Sequence, residues 1–150
     1  MTWLGITSAA AIGFYGLLSA SIVHAQDVPR AFICGNLAGS FSGPPTSWKP
    51  EEDGMSNQEV LLYFKGGKSV SNVKWYRDGK VYYESGGIGY AMKVGFGIVV
   101  FADDYIETYV VNVGTSELLF TMVRAGSAML SNAIKTQRGT CKPAAGSMVQ

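Results

Sequence analysis

The sequence predicts an all-β protein: a single antiparallel meander of eight or nine short strands that closes into a small barrel, with a disulfide joining its two ends. Three observations predict it. Turn signals built from Gly, Asp and Ser recur about every 8–12 residues between Gln58 and Thr136, the spacing of a sandwich or barrel. No stretch in that region sustains the 3.6-residue apolar spacing of a helix. Gly86, Gly87, Gly89, Gly95 and Gly97 fall inside or beside strands, where glycine marks the bulges and bends that let a sheet close.

Taken in order, the first segment lies outside that fold. From Trp3 to Val23 no side chain is charged, and Val23-His24-Ala25 before Gln26 offers the small final residue that a secretory peptidase prefers, so residues 1–25 are expected to be a signal peptide, with an uncleaved anchor as the alternative because about 20 apolar residues can span a bilayer. Residues 26–141 form the expected barrel domain, and Lys142–Gln150, rich in Pro, Ala, Gly and Ser, a disordered tail. The two cysteines, Cys34 and Cys141, are expected to pair in an oxidising compartment; closing a loop of roughly 100 residues constrains the unfolded chain by about 4.7 kcal/mol on the entropy model. No Cys-x-x-Cys spacing points to redox chemistry instead.

After Cys34, Leu37–Phe41 reads as a first strand. Gly43-Pro44-Pro45 must leave the sheet, because proline lacks the ladder donor. Thr46–Asn57 reads as a surface loop or lid, with Glu51-Glu52-Asp53 as a solvated turn rather than a calcium loop, since the spaced oxygen ligands are missing. The meander then runs through Val60–Phe64, Val70–Arg77, Val81–Glu84, Tyr90–Val94, Ile98–Phe101, Tyr105–Val113, Leu118–Val123 and Met129–Thr136.

The strongest local signal is Asp78-Gly79 between two aromatic, β-branched runs. A uniform ladder around a two-residue loop sets Arg77 against Lys80 and Val73 against Glu84. A three-residue loop, Arg77-Asp78-Gly79, sets Trp75 against Val81 and Val73 against Tyr83, gathering Val73, Trp75, Val81 and Tyr83 on one face and Lys74, Tyr76, Lys80 and Tyr82 on the other. The second register is the expected one.

Composition excludes more than it selects. The single histidine, His24, sits in the leader, so the mature chain has no imidazole for a Ser-His-Asp site, a Cys-His site or a histidine-ligated metal. Twelve basic and eleven acidic residues are interspersed, which gives no electrostatic reason to bind nucleic acid or an anionic membrane. A two-carboxylate glycosidase would have to draw on Glu84, Glu107 and Glu117, each of which reads as lying in the polar phase of its strand. Gly95-Phe-Gly-Ile lacks the third glycine and the helix of a dinucleotide site. No enzyme activity, no cofactor and no metal are therefore expected. The aromatic residues Trp75, Tyr83, Tyr90, Phe96, Phe101 and Tyr109 are expected to line the barrel interior, which at eight strands either fills with side chains or holds one small ligand.

Two resemblances bear on function. Leu37-Ala-Gly-Ser-Phe41, soon after Cys34, resembles the Gly-x-Trp opening strand of lipocalin-like barrels, with Phe in place of Trp; this implies a cavity for a small apolar ligand. Ser85-Gly86-Gly87-Ile88-Gly89-Tyr90 resembles the Ser-Gly-rich loop of the periplasmic inhibitors of c-type lysozyme, small secreted barrels with cysteines near both ends. Gly89 stands where that family has Arg, which leaves Ser85 as the residue that carries over. The chain as a whole is similar to small exported proteins of Gram-negative bacteria, which implies a periplasmic or secreted location. The leading expectation is thus an exported binding protein for a small apolar ligand, the second an inhibitor or envelope-interaction module that meets an extracytoplasmic protein through Ser85–Tyr90, with no membrane span once the leader is removed.

Overall fold

The computed structural model describes residues 30–53, 57–65, 70–126 and 132–144. The expected signal peptide, Met129 and the end of the chain lie outside them. Nine strands form one antiparallel sheet: β1 (Arg30–Ser42), β2 (Glu51–Glu52), β3 (Gln58–Phe64), β4 (Val70–Arg77), β5 (Lys80–Met92), β6 (Gly95–Phe101), β7 (Tyr105–Asn112), β8 (Glu117–Arg124) and β9 (Ala133–Pro143). Each strand from β3 to β9 pairs with the next, and β1 pairs with both β3 and β9, so eight strands close into a barrel while β2 adds a short rung to the end of β1.

Cys34 and Cys141 stand directly opposite each other on β1 and β9 and are bonded, so the disulfide clasps the seam where first and last strands meet. The expected tail begins too early: Lys142 and Pro143 belong to β9, opposite Ile33 and Phe32, and the Ala144 amide donates to the Ala31 carbonyl at 2.8 Å. The ladder with β1 claims them.

Neither uniform register of the β4–β5 hairpin is adopted. Asp78 (φ 52°) and Gly79 (φ 73°) both lie at positive φ, as a two-residue type I′ turn requires, and Arg77 faces Lys80. The pairing then shifts: Tyr76 faces Val81, but Trp75 faces Tyr83, so Tyr82 is an extra, bulged residue. The bulge removes the Val73–Glu84 clash that a uniform two-residue ladder entails, setting Val73 opposite Ser85, while Arg77 still faces Lys80. Lys74 comes opposite Glu84, with an ion pair of 3.3 Å, and Trp75 and Tyr83 share the inner face. Val81 moves outward and is 49% exposed, contrary to its expected place beside Trp75. A Cβ added at Gly79 meets nothing within 4 Å, so Gly79→Ala is expected to cost about 1–2 kcal/mol through backbone strain alone, readable as a lower denaturant midpoint at unchanged slope.

Glycines inside the next strand do not divide it. Instead of two strands and a loop, Lys80–Met92 runs as one thirteen-residue strand. Gly87 and Gly89 lie where a Cβ would strike Ile98, Val100 and the Phe64 ring, so small residues here make room for the core opposite.

The core fills one half of the barrel. Phe96 lies 5.3 Å from Phe32 and 5.0 Å from Phe64, ring centre to ring centre, with Val60, Leu62, Val73, Ile98, Val111, Leu118 and the disulfide buried in the same cluster. Toward the other end, where the β4–β5 and β6–β7 turns lie, the inner face becomes Trp75, Tyr109 and Phe120, and then polar. Successive paired positions there read Val100, Glu107, Met122, Lys135 and Phe41.

Candidate functional site

The polar end of the interior is a cavity of about 450 Å³ that opens beside the β6–β7 turn, lined by Trp75, Tyr82, Tyr83, Asp104, Tyr105, Glu107, Phe120, Met122, Arg124 and Lys135. Its floor is aromatic. Trp75 meets Phe120 edge-on at 5.4 Å, and Tyr109 lies 4.9 Å from Phe120, closing the base of the cavity against the core below.

Glu107 is the chemical centre of the cavity. It is 7% exposed, and its Oε2 accepts hydrogen bonds from the Tyr109 hydroxyl at 2.7 Å and the Tyr83 hydroxyl at 3.1 Å. Both tyrosines are themselves held. The Tyr109 oxygen accepts from Trp75 Nε1 at 2.8 Å, and with its own proton committed to Glu107, the Tyr83 oxygen accepts from the Tyr105 hydroxyl at 3.0 Å. Four donors on three strands thus point, directly or through one relay, at a single carboxylate oxygen.

Burial pushes the Glu107 carboxyl above its ordinary range, against the Tyr109 and Tyr83 donors and the Lys135 charge, which draw it down. Tyr109 and Tyr83 are raised as well, mainly by burial and further by the adjoining carboxylate, so both remain protonated donors at neutral pH. A carboxyl with a raised folded pKa favours its protonated form in the native state. Its contribution to stability is therefore complete below the ordinary value near 4.5 and is lost as pH rises through the folded value. Glu107→Gln, which keeps an acceptor for the tyrosines, is expected to abolish this dependence: between about pH 4 and pH 7.5 the wild type should lose stability relative to the variant in denaturant unfolding. A parallel course for the two proteins would show that Glu107 is not the buried, upward-shifted group.

The wall toward the β1–β9 seam is ionic. Lys135 pairs with Asp53 Oδ2 at 2.6 Å, and Gln137, 1% exposed, donates from Nε2 to the same Asp53 oxygen at 3.3 Å. Of the acidic stretch read as a solvated turn, Glu51 and Glu52 are exposed but form β2 on the end of β1, while Asp53 turns in to meet these two side chains. Gln137 Oε1 is buried without a hydrogen-bond partner among the described residues.

Of the six aromatic residues expected inside, Trp75, Phe96 and Tyr109 are buried there, and Tyr83 is half-buried at the cavity wall. Phe96 belongs to the filled half, away from the cavity. Tyr90 and Phe101 are not interior. Tyr90 lies on the outer surface across Gly97, where an added Cβ would come within 2.2 Å of its ring; Phe101 is 62% exposed because Val100 takes the inward position before it. With Ile106, Val123 and Ile134, Phe101 forms an exposed apolar row across β6 to β9.

The segment Ser85–Tyr90 is not a loop, since Ser85, Gly86, Gly87, Ile88, Gly89 and Tyr90 all lie within β5, paired to β4 on one side through Ile88 and to β6 on the other from Ile88 onward. The three carboxylate candidates separate. Glu84 pairs with Lys74 on the outside, Glu117 is exposed beside Arg138, and Glu107 alone of the three faces the interior, so they form no catalytic pair across one space. Among the described residues no group of three or more His, Cys, Asp or Glu is placed to hold a metal ion. A second depression, about 460 Å³, lies between Gly35-Asn36 and the Asp78-Gly79 turn, a polar groove that shares no lining residue with the Glu107 cavity.

No family model, no curated protein and no solved structure matches the chain.

Proposed function

We propose that this chain is exported and works outside the cytoplasm as a binding protein that holds one small, largely apolar ligand in the open end of its barrel. The observation that carries the reading is the division of the interior. One half is occupied by the buried apolar cluster, while the other keeps a cavity of about 450 Å³ with an aromatic floor and a few converging polar groups, within the usual range for small-molecule sites of roughly 300–1,000 Å³. A barrel selected for stability alone would have no reason to bury Glu107 with two tyrosines around it. The uncharged leader and the seam disulfide support export.

N-phenylnaphthylamine, an apolar dye whose fluorescence rises out of water, tests the reading. The mature, oxidised chain should take it up saturably, one dye per chain by native mass spectrometry, and Met122→Trp, which fills the cavity, should weaken uptake at least about tenfold while leaving the fold intact. Uptake that does not saturate, or that Met122→Trp leaves unchanged in a folded protein, would remove the proposal.

A further inference from the structure

Resting on that binding reading, we infer that the cavity selects ligands with a cationic amine head, seated on Glu107, over neutral or anionic ligands of the same body. Three observations lead there. The first is the hydrogen-bond arrangement: the Tyr83 and Tyr109 hydroxyls both fall on Glu107 Oε2, and among the described residues no hydrogen bond reaches Oε1 of this cavity-lining carboxylate. Every hydroxyl in the Trp75-Tyr109-Glu107-Tyr83-Tyr105 chain already has its proton assigned toward Glu107, so these groups can hold the carboxylate in place but do not themselves turn a proton to a ligand. The acceptor left at the cavity is Glu107 Oε1, anionic once pH exceeds the raised folded value of the carboxyl, and its complement there is a donor carrying positive charge.

The second is charge. Glu107 and Asp104 line the cavity against Arg124 and Lys135, and Asp53 closes on Lys135 at 2.6 Å. The four lining charges balance, and Arg77, 4.9 Å over the Tyr82 ring, offsets Asp53; Glu107 is the most buried of the acidic groups. An ammonium head would neutralise the Glu107 carboxylate; a carboxylate head would set a second anion beside it. The third is the wall. Trp75, Tyr82, Tyr83, Tyr105 and Phe120 surround the cavity with aromatic rings, whose faces attract an organic cation by about 0.5–2 kcal/mol.

The test uses displacement of N-phenylnaphthylamine by three probes with one aromatic body and different heads: phenethylamine, phenethyl alcohol and phenylacetate. Phenethylamine should bind at least about tenfold more tightly than the alcohol, and phenylacetate more weakly than either. In Glu107→Gln the preference for the amine over the alcohol should fall about tenfold. If that variant fails to fold, the wild type still decides, because amine binding should weaken as pH falls and Glu107 takes up its proton while dye uptake does not. Among the described residues, Tyr82, Tyr83, Tyr105, Tyr109, Asp104, Asp53, Lys135 and Arg124 are the other charged or titratable groups around the carboxyl; the acidic residues other than Glu107 would carry such a change only if dye uptake or the Lys135–Asp53 wall moved with it. Equal binding of amine and alcohol, tighter binding of phenylacetate, or an amine preference that survives Glu107→Gln would overturn the inference while saturable dye uptake left the binding reading standing. Loss of dye uptake as well would remove both.

Discussion

Trp75→Ala should lower the unfolding free energy by about 3–5 kcal/mol, the cost of emptying a large buried aromatic position. Trp75 is 4% exposed, meets Phe120 edge-on and Tyr109 at 6.3 Å, and donates from Nε1 to the Tyr109 hydroxyl. Truncation removes the ring contacts and leaves the Tyr109 oxygen short of a donor beside Glu107. Two comparisons separate these effects. Trp75→Phe keeps most of the ring and loses the donor, so it should cost nearer 1 kcal/mol. Tyr76→Ala, at a half-buried position on the outer face, should cost well under the Trp75 truncation. Denaturant unfolding of the oxidised chain measures all three, and a larger loss at Tyr76 than at Trp75 would invert the faces of β4.

Replacing Cys34 and Cys141 together by alanine should cost about 2–5 kcal/mol. The bond closes a loop of 107 residues, for which the entropy model gives about 4.7 kcal/mol. It also joins β1 to β9, the pair without which the sheet would have two open edges. The rest of that seam remains hydrogen-bonded from Phe32–Pro143 to Ser42–Ile134, so the alanine variant should keep a native-like spectrum and unfold at lower denaturant rather than fail to fold. A change of less than about 0.5 kcal/mol would mean that the unfolded chain is already constrained by other means.

Most of the architecture is legible in the sequence because it rests on local chemistry. Turn residues punctuate the strands, Asp78-Gly79 marks its hairpin, and two cysteines near the ends find each other once the meander closes. The candidate site is less legible for one physical reason. Side chains alternate strictly across a strand, and residue type alone assigns three positions against that parity. Tyr109 inside obliges Glu107, two residues earlier, to be inside as well, although its polarity alone places it with the solvent. Phe96 inside obliges Phe101, five residues on, to be outside, and Tyr83 inside does the same to Tyr90. The hairpin failed in the opposite sense: a bulge at Tyr82 broke the parity, and no local signal separates a bulge from a longer turn. The docking of Asp53 on Lys135 and Gln137 joins residues too far apart for any pattern in the sequence to reveal.

The central claim is that the working surface is the inside of the barrel. Heteronuclear NMR of the mature chain titrated with N-phenylnaphthylamine tests it most directly, because interior and exterior residues alternate along every strand and report separately. The account predicts dye contacts and shift changes at Tyr83, Tyr105, Glu107, Phe120 and Met122, with little change along the outer row of Phe101, Ile106, Val123 and Ile134. Changes confined to that outer row, with the cavity residues unmoved, would contradict it.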